Sequence, residues 1–91
     1  MIVADIEASG LDYRKHSILS IGAIELEHPE RQFYGECRIW EGASIMSDAI
    51  AVCGFTEDEC RDPKKHTLNE LMTNFYHWVE QCEEKTLAGQ N

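Results

Sequence analysis

The alternation of apolar and polar residues changes period about halfway along the chain. The first run, Met1 to Glu7, reads as a strand that Ser9-Gly10 ends. A second, His16 to Glu27 (HSILSIGAIELE), is rich in Ile and Leu and predicts another strand, with Gly22 at its middle. His28-Pro29-Glu30 predicts a break, because proline fixes its own φ and restricts the residue before it. From Gln32 to Trp40 the alternation is regular. Phe33, Gly35, Cys37 and Ile39 share one face, and Tyr34, Glu36, Arg38 and Trp40 share the other. Short connections between the three runs predict an antiparallel meander.

The period then becomes helical. Ser47 to Cys53 predicts a short helix closed by Gly54, and Thr56-Glu57-Asp58-Glu59 has the spacing of a capping box, opening a second short helix that Asp62-Pro63 stops. A second capping box, Thr67-Leu68-Asn69-Glu70, opens the clearest helix of the chain. Leu68, Leu71, Met72, Phe75, Trp78, Val79 and Cys82 fall three and four apart and form one stripe, expected to pack on the sheet. Thr86-Leu87-Ala88 then begins a fourth strand, ending with Gly89-Gln90-Asn91. With helices between the third and fourth strands, the fourth is expected to run parallel to a neighbour.

Composition narrows the class. The 91 residues suffice for one small domain, and 43% hydrophobic with 27% charged residues is ordinary for a folded globular chain. With 17 acids against 8 Lys and Arg, the net charge is −9, so no basic groove for nucleic acid is visible in the composition. Only a bound cation would reverse that sign locally. Cys37, Cys53, Cys60 and Cys82 stand far apart with no C-x-x-C pair, which argues against a zinc ribbon. They read as reduced packing thiols of a cytoplasmic protein, with no signal peptide and no membrane span.

The candidate chemistry lies in the first strand. Asp5 and Glu7 are two residues apart, so on a strand they share a face at roughly 7 Å spacing. They stand at its carboxyl end, where open α/β sheets bind ligands. Two such acids repel unless they are protonated, solvated or bridged by a cation, and Mg²⁺ typically takes one or two carboxylates plus waters and phosphates. Ala8, Ser9 and Gly10 follow with small side chains that let backbone approach a ligand, and Leu11 offers an apolar wedge for a base. D-x-E alone also occurs on solvated strand edges.

Four segments together carry a resemblance. Asp5-Ile6-Glu7-Ala8-Ser9-Gly10-Leu11-Asp12 resembles the first motif of the DEDD (DnaQ-like) 3′→5′ exonuclease superfamily, D-x-E-T/A-S/T-G-L-D. Ile18-Leu19-Ser20-Ile21-Gly22-Ala23-Ile24 resembles its second strand. Ala51-Val52-Cys53-Gly54-Phe55-Thr56 resembles its A-x-x-H/N-G-I/F-T/S segment, with Cys53 in place of His or Asn. Leu87-Ala88-Gly89-Gln90-Asn91 resembles the entry to its second motif.

The resemblance implies an α/β, ribonuclease H-like mixed sheet: a three-strand antiparallel meander, helices, then a strand parallel to the first. It implies 3′→5′ removal of nucleotides from single-stranded DNA or RNA by two-metal hydrolysis. Asp5 and Glu7 would be catalytic metal ligands for two Mg²⁺ (or Mn²⁺) ions, and Ala8, Ser9, Gly10 and Leu11 would hold the terminal nucleotide. Gly54, Phe55 and Thr56 match a packing and capping segment, and Asn91 a supporting position. The family's other two acids and its water-positioning His or Tyr have no match here, and His16, His28, His66 and His77 occupy none of its positions. Residues 1–91 are therefore expected to be the N-terminal part of one exonuclease domain, inactive alone. An exposed apolar face on the sheet, open to homo-oligomerisation, is expected with it. The competing readings are a non-catalytic nucleic-acid-binding or structural module on the same fold, and a ribonuclease H-type endonuclease.

Overall fold

The computed structural model describes residues 1–90; the expected role of Asn91 lies outside the described residues. The elements are β1 (Ile2–Ala8), β2 (Ile18–Glu25), β3 (His28–Glu36), α1 (Ser47–Cys53), α2 (Glu57–Cys60), α3 (Leu68–Gln81) and β4 (Leu87–Gln90). The strands form one mixed sheet in the order β3-β2-β1-β4. β1, β2 and β3 make the antiparallel meander, and β4 returns parallel to β1 with Ile2 opposite Leu87 and Asp5 opposite Gln90. This is the ribonuclease H-like mixed sheet expected from the sequence. No helix among the described residues is long and apolar enough to cross a membrane.

The sheet's two faces follow from side-chain parity. Ile2 and Ala4 of β1, Ile21 and Ala23 of β2, and Phe33 and Gly35 of β3 share the face that α3 covers. Leu71, at the centre of the α3 stripe, is 1% exposed. Phe33, Phe75 and Trp78 meet in a three-ring cluster with centroids 5.4, 6.0 and 6.1 Å apart, within the range of favourable aromatic pairs. A second core lies at the other end, where Leu19, Ile39, Ala43, Ile50 and Cys60 are buried with Trp40 and Phe55 against them. Both capping boxes form, with Thr56 Oγ1 accepting from the Glu59 N–H and Thr67 Oγ1 from the Glu70 N–H.

Three expectations change. β2 is shorter than His16 to Glu27, and β3 begins at His28 instead of after the Pro29 break and ends at Glu36 instead of Trp40. The turn is Leu26-Glu27. Pro29 is tolerated because β3 is an edge strand, where a missing N–H removes no ladder bond to a second neighbour. Met72 leaves the α3 stripe and is exposed, because a turn of about 100° past Leu71 sets it at the stripe's margin. The face opposite α3 is polar, with Asp5, Glu7, Ser20, Gln32, Tyr34 and Glu36 on it and Val3 and Ile24 its apolar members, whereas exposed apolar side chains stand on the α3 side, at Ile6 and Leu87.

One buried acid ties the sheet together. Glu25 is fully buried at the end of β2. Its Oε1 accepts from Arg31 Nη1 at 3.0 Å, and its Oε2 accepts the backbone N–H groups of Glu83 (2.9 Å) and Glu84 (3.2 Å). It thus joins the β2–β3 hairpin to the turn that leads from α3 into β4. Burial pushes its carboxyl pKa up, but the Glu84 N–H, the Arg31 guanidinium and the Glu83 N–H together outweigh it and hold it below the ordinary 4.5.

Two outcomes are expected. Because the folded pKa of Glu25 is depressed, its stabilisation is complete above about pH 4.5 and is lost as pH falls through the folded pKa. Glu25→Gln should be less stable than the parent in urea at pH 7, and the gap should narrow below pH 4.5; a gap independent of pH would remove the carboxylate from this role. Gly35→Ala would put a Cβ 2.6 Å from Leu71 Cδ1 in a buried contact. It should lower urea stability by about 1–3 kcal/mol.

Candidate active site on the open face of the sheet

β1 has one face in the core, so Asp5 and Glu7, on the opposite parity, stand on the face that α3 leaves open. The register fixes their neighbours. Gly22 and then Tyr34 lie beside Asp5, and Ser20 and then Glu36 lie beside Glu7. These residues line an open groove of about 500 Å³, closed at one end by Cys53, Gly54, Phe55 and Glu59 of the α1–α2 corner. Another groove, of about 540 Å³, runs between Arg38, Trp40, Arg61 and Leu68. It contains one acid, Glu41, and no carboxylate pair, so it lacks the chemistry of a cation site.

α1 delivers a thiol to the carboxylates. The helix ends at Gly54, whose φ of 82° is left-handed and whose N–H bonds to the Ile50 and Ala51 carbonyls. That stop brings Cys53 to β1, where its Sγ–H donates to Glu7 Oε2 at 2.8 Å. Burial, then the Glu7 hydrogen bond, push the Cys53 thiol up to about 11, so it stays protonated and keeps donating. The contact spans 46 positions in sequence, and neither the residue pattern nor the family resemblance pointed to it.

The other acids of the groove have partners. Glu59 Oε1 accepts the Thr56 N–H in its capping box. Glu36 pairs with Lys65 Nζ at 2.8 Å and accepts from Tyr34 Oη at 2.6 Å. Lys65 first and Tyr34 second hold the Glu36 carboxyl below its ordinary value, and that same bond to Glu36, with burial, pushes the Tyr34 phenol up. Among the described residues, the Asp5 carboxylate has no hydrogen-bond or ion-pair partner, and Cys53 is the one partner of the Glu7 carboxylate. No group of three or more His, Cys, Asp and Glu converges in a metal-binding arrangement among the described residues. Two neighbouring carboxylates with unbonded oxygens on an open face fit a hexahydrate-derived Mg²⁺, which keeps waters and needs few protein ligands. They do not form a closed cage for Zn²⁺.

The loop after β1 is built differently from the sequence reading. Ala8 is half-buried, and Ser9 is fully buried with its N–H bonded to the Ser17 carbonyl (2.8 Å) and its Oγ to the Ser44 carbonyl (2.8 Å). The Ser9 amide is thus engaged within the protein. The space left by the missing side chain of Gly10 is filled by His16, whose ring would lie 2.3 Å from an added Cβ. None of Ala8, Ser9, Gly10 and Leu11 lines the groove, whereas Asp5 and Glu7 do. Leu11 is 93% exposed at the tip of this hydrogen-bonded loop.

No family model and no curated protein matches the sequence. Among solved structures, the crystal structure of cell-death related nuclease 4 is similar, with a TM-score of 0.58 and 11% identity over 97% of this chain. The match covers 33% of that nuclease, so the chain spans about a third of its length. At that identity the likeness shows the fold.

The state of the cysteines yields a prediction. All four are thiols, and Cys53 alone is not buried. Its pKa near 11, against an ordinary 9.0, lowers the thiolate fraction at pH 8 about 100-fold. Iodoacetamide followed by peptide mass spectrometry should show Cys53 modified before Cys37, Cys60 and Cys82, yet about 100-fold more slowly than a small-molecule thiol, with a rate that climbs as pH rises toward 11.

Proposed function

We propose that this chain carries the first-motif half of a divalent-metal 3′→5′ exonuclease site of the DEDD superfamily, acting on single-stranded ends of DNA or RNA. The observation that carries the reading is the pair Asp5 and Glu7, side by side with unbonded oxygens on the open face of the central strand, with β4 parallel beside it. The nuclease fold of the structural neighbour supports it.

Asp5 and Glu7 would hold Mg²⁺ or Mn²⁺, two ions in the full site, which supply an activated water and charge for the leaving oxygen. The protein's own part is positional. Asp5 offers both oxygens, and Cys53 ties down Oε2 of Glu7, leaving Oε1 without a hydrogen-bond or ion-pair partner among the described residues. Ser9, through its bonds to Ser17 and Ser44, holds the turn whose exposed tip carries Leu11, outside the groove. The reading requires two further carboxylates and a water-positioning His or Tyr, which the superfamily carries in its second and third motifs. Residues 1–91 alone should therefore hydrolyse little or nothing.

The test uses the full-length protein and a short 5′-labelled single strand. Asp5→Asn and Glu7→Gln should each reduce mononucleotide release by about 10²-fold or more, the effect of losing several kcal/mol of charge stabilisation. Circular dichroism should show the fold retained. Undiminished release by both variants would sink the assignment, and oligonucleotide binding without any hydrolysis by the parent would favour the non-catalytic module.

A further inference from the structure

The groove holds an aromatic ring that the metal chemistry does not use. Tyr34 lies in the same register row as Asp5, two strands away, so their Cα atoms are roughly 10 Å apart. The residue between them is Gly22, and the nearest atom to a Cβ built there is Tyr34 Cδ1 at 3.8 Å. The ring thus leans over bare backbone toward the carboxylates, with no side chain standing between. Its far end is fixed: Oη donates to Glu36 Oε2 at 2.6 Å, and Glu36 is itself held by Lys65 Nζ at 2.8 Å. Yet Tyr34 is 65% exposed, on the face that α3 leaves open. A ring clamped at its hydroxyl and open across its surface loses little further freedom when a flat ligand lies on it.

We propose that Tyr34 is a stacking platform for a nucleobase adjacent to the scissile phosphodiester. This inference rests on the exonuclease reading for the identity of the ligand. Every base has a π-face, so the platform would add affinity without sequence preference, by about 5- to 150-fold. Glu36 and Lys65 are positioning residues that act through the hydroxyl. The competing structural role, in which Tyr34 merely shields the backbone at Gly22, is met equally by a leucine.

The experiment is binding of a hydrolysis-resistant phosphorothioate oligonucleotide carrying 2-aminopurine at each of its last three positions in turn, to the intact protein with Mg²⁺. At one position the fluorescence should be quenched on binding, and an abasic site there should weaken parent affinity about 5- to 150-fold. Tyr34→Leu should lose both the quench and the sensitivity to the abasic site, while Tyr34→Phe, which keeps the ring, should recover most of the affinity. Equal affinity and quench in Tyr34→Leu would overturn the platform, as would an abasic scan of the parent with no sensitive position, which needs no variant to fold. Tyr34-dependent stacking by a protein that cleaves nothing would instead overturn the exonuclease reading and leave the platform standing.

Discussion

The two-residue period of β1 is the constraint on which the rest depends. A central strand with one face in the core must send alternate side chains to the other face, and its polar members have nowhere else to go. Ile2 and Ala4 anchor β1 against the α3 aromatic cluster, and this alone sets Asp5 and Glu7 together on the open side. A one-residue slip between β1 and β2 would turn both acids onto the face that α3 covers. The burial that stabilises the sheet therefore also enforces the geometry of the carboxylate pair.

Glu25 carries that constraint to the far edge of the sheet. β4 is short, and it begins only after a turn whose N–H groups would otherwise lack partners. By accepting from Glu83 and Glu84 while bonded to Arg31, Glu25 brings the turn to the β2–β3 hairpin, so that β4 can dock beside β1. A buried carboxylate is costly unless fully bonded, and here both oxygens are. The result is a parallel strand on the free edge of β1, beside the carboxyl end that bears the acids.

What the sequence revealed and what it hid divide by the range of the interactions. Capping boxes at Thr56 and Thr67 and the glycine stop at Gly54 are bonds among residues a few positions apart, and they were legible as written. The facing of Asp5 and Glu7 needed only the strand period. The start of β3 was misjudged, because Pro29 forbids a central strand but not an edge strand, and edge position is a property of the assembled sheet. Similarly, Gly10 reads as room for a ligand until the fold puts His16 there, and nothing local announces that Cys53 will meet Glu7 or that Tyr34 will lean over Gly22. Each of these is a contact between segments that only the topology brings together.

Electrostatics then limits how such a site can meet a polyanion. The chain carries −9, and four of its eight cationic side chains, Arg14, Arg31, Arg61 and Lys65, are paired with acids. No Lys or Arg lines the groove, and Lys65, which reaches Glu36 there, is largely neutralised by it. A phosphodiester would therefore meet Asp5 and Glu7 as like charge, and at a groove's lowered dielectric that repulsion exceeds what it would be in water. Stacking on an uncharged ring such as Tyr34 can add affinity but cannot reverse that sign. Divalent ions on Asp5 and Glu7 can, because two such ions bring +4 to a pair carrying −2. Under the proposed exonuclease reading the cation would be the condition for substrate approach as well as for chemistry, and binding and hydrolysis should share one dependence on the metal.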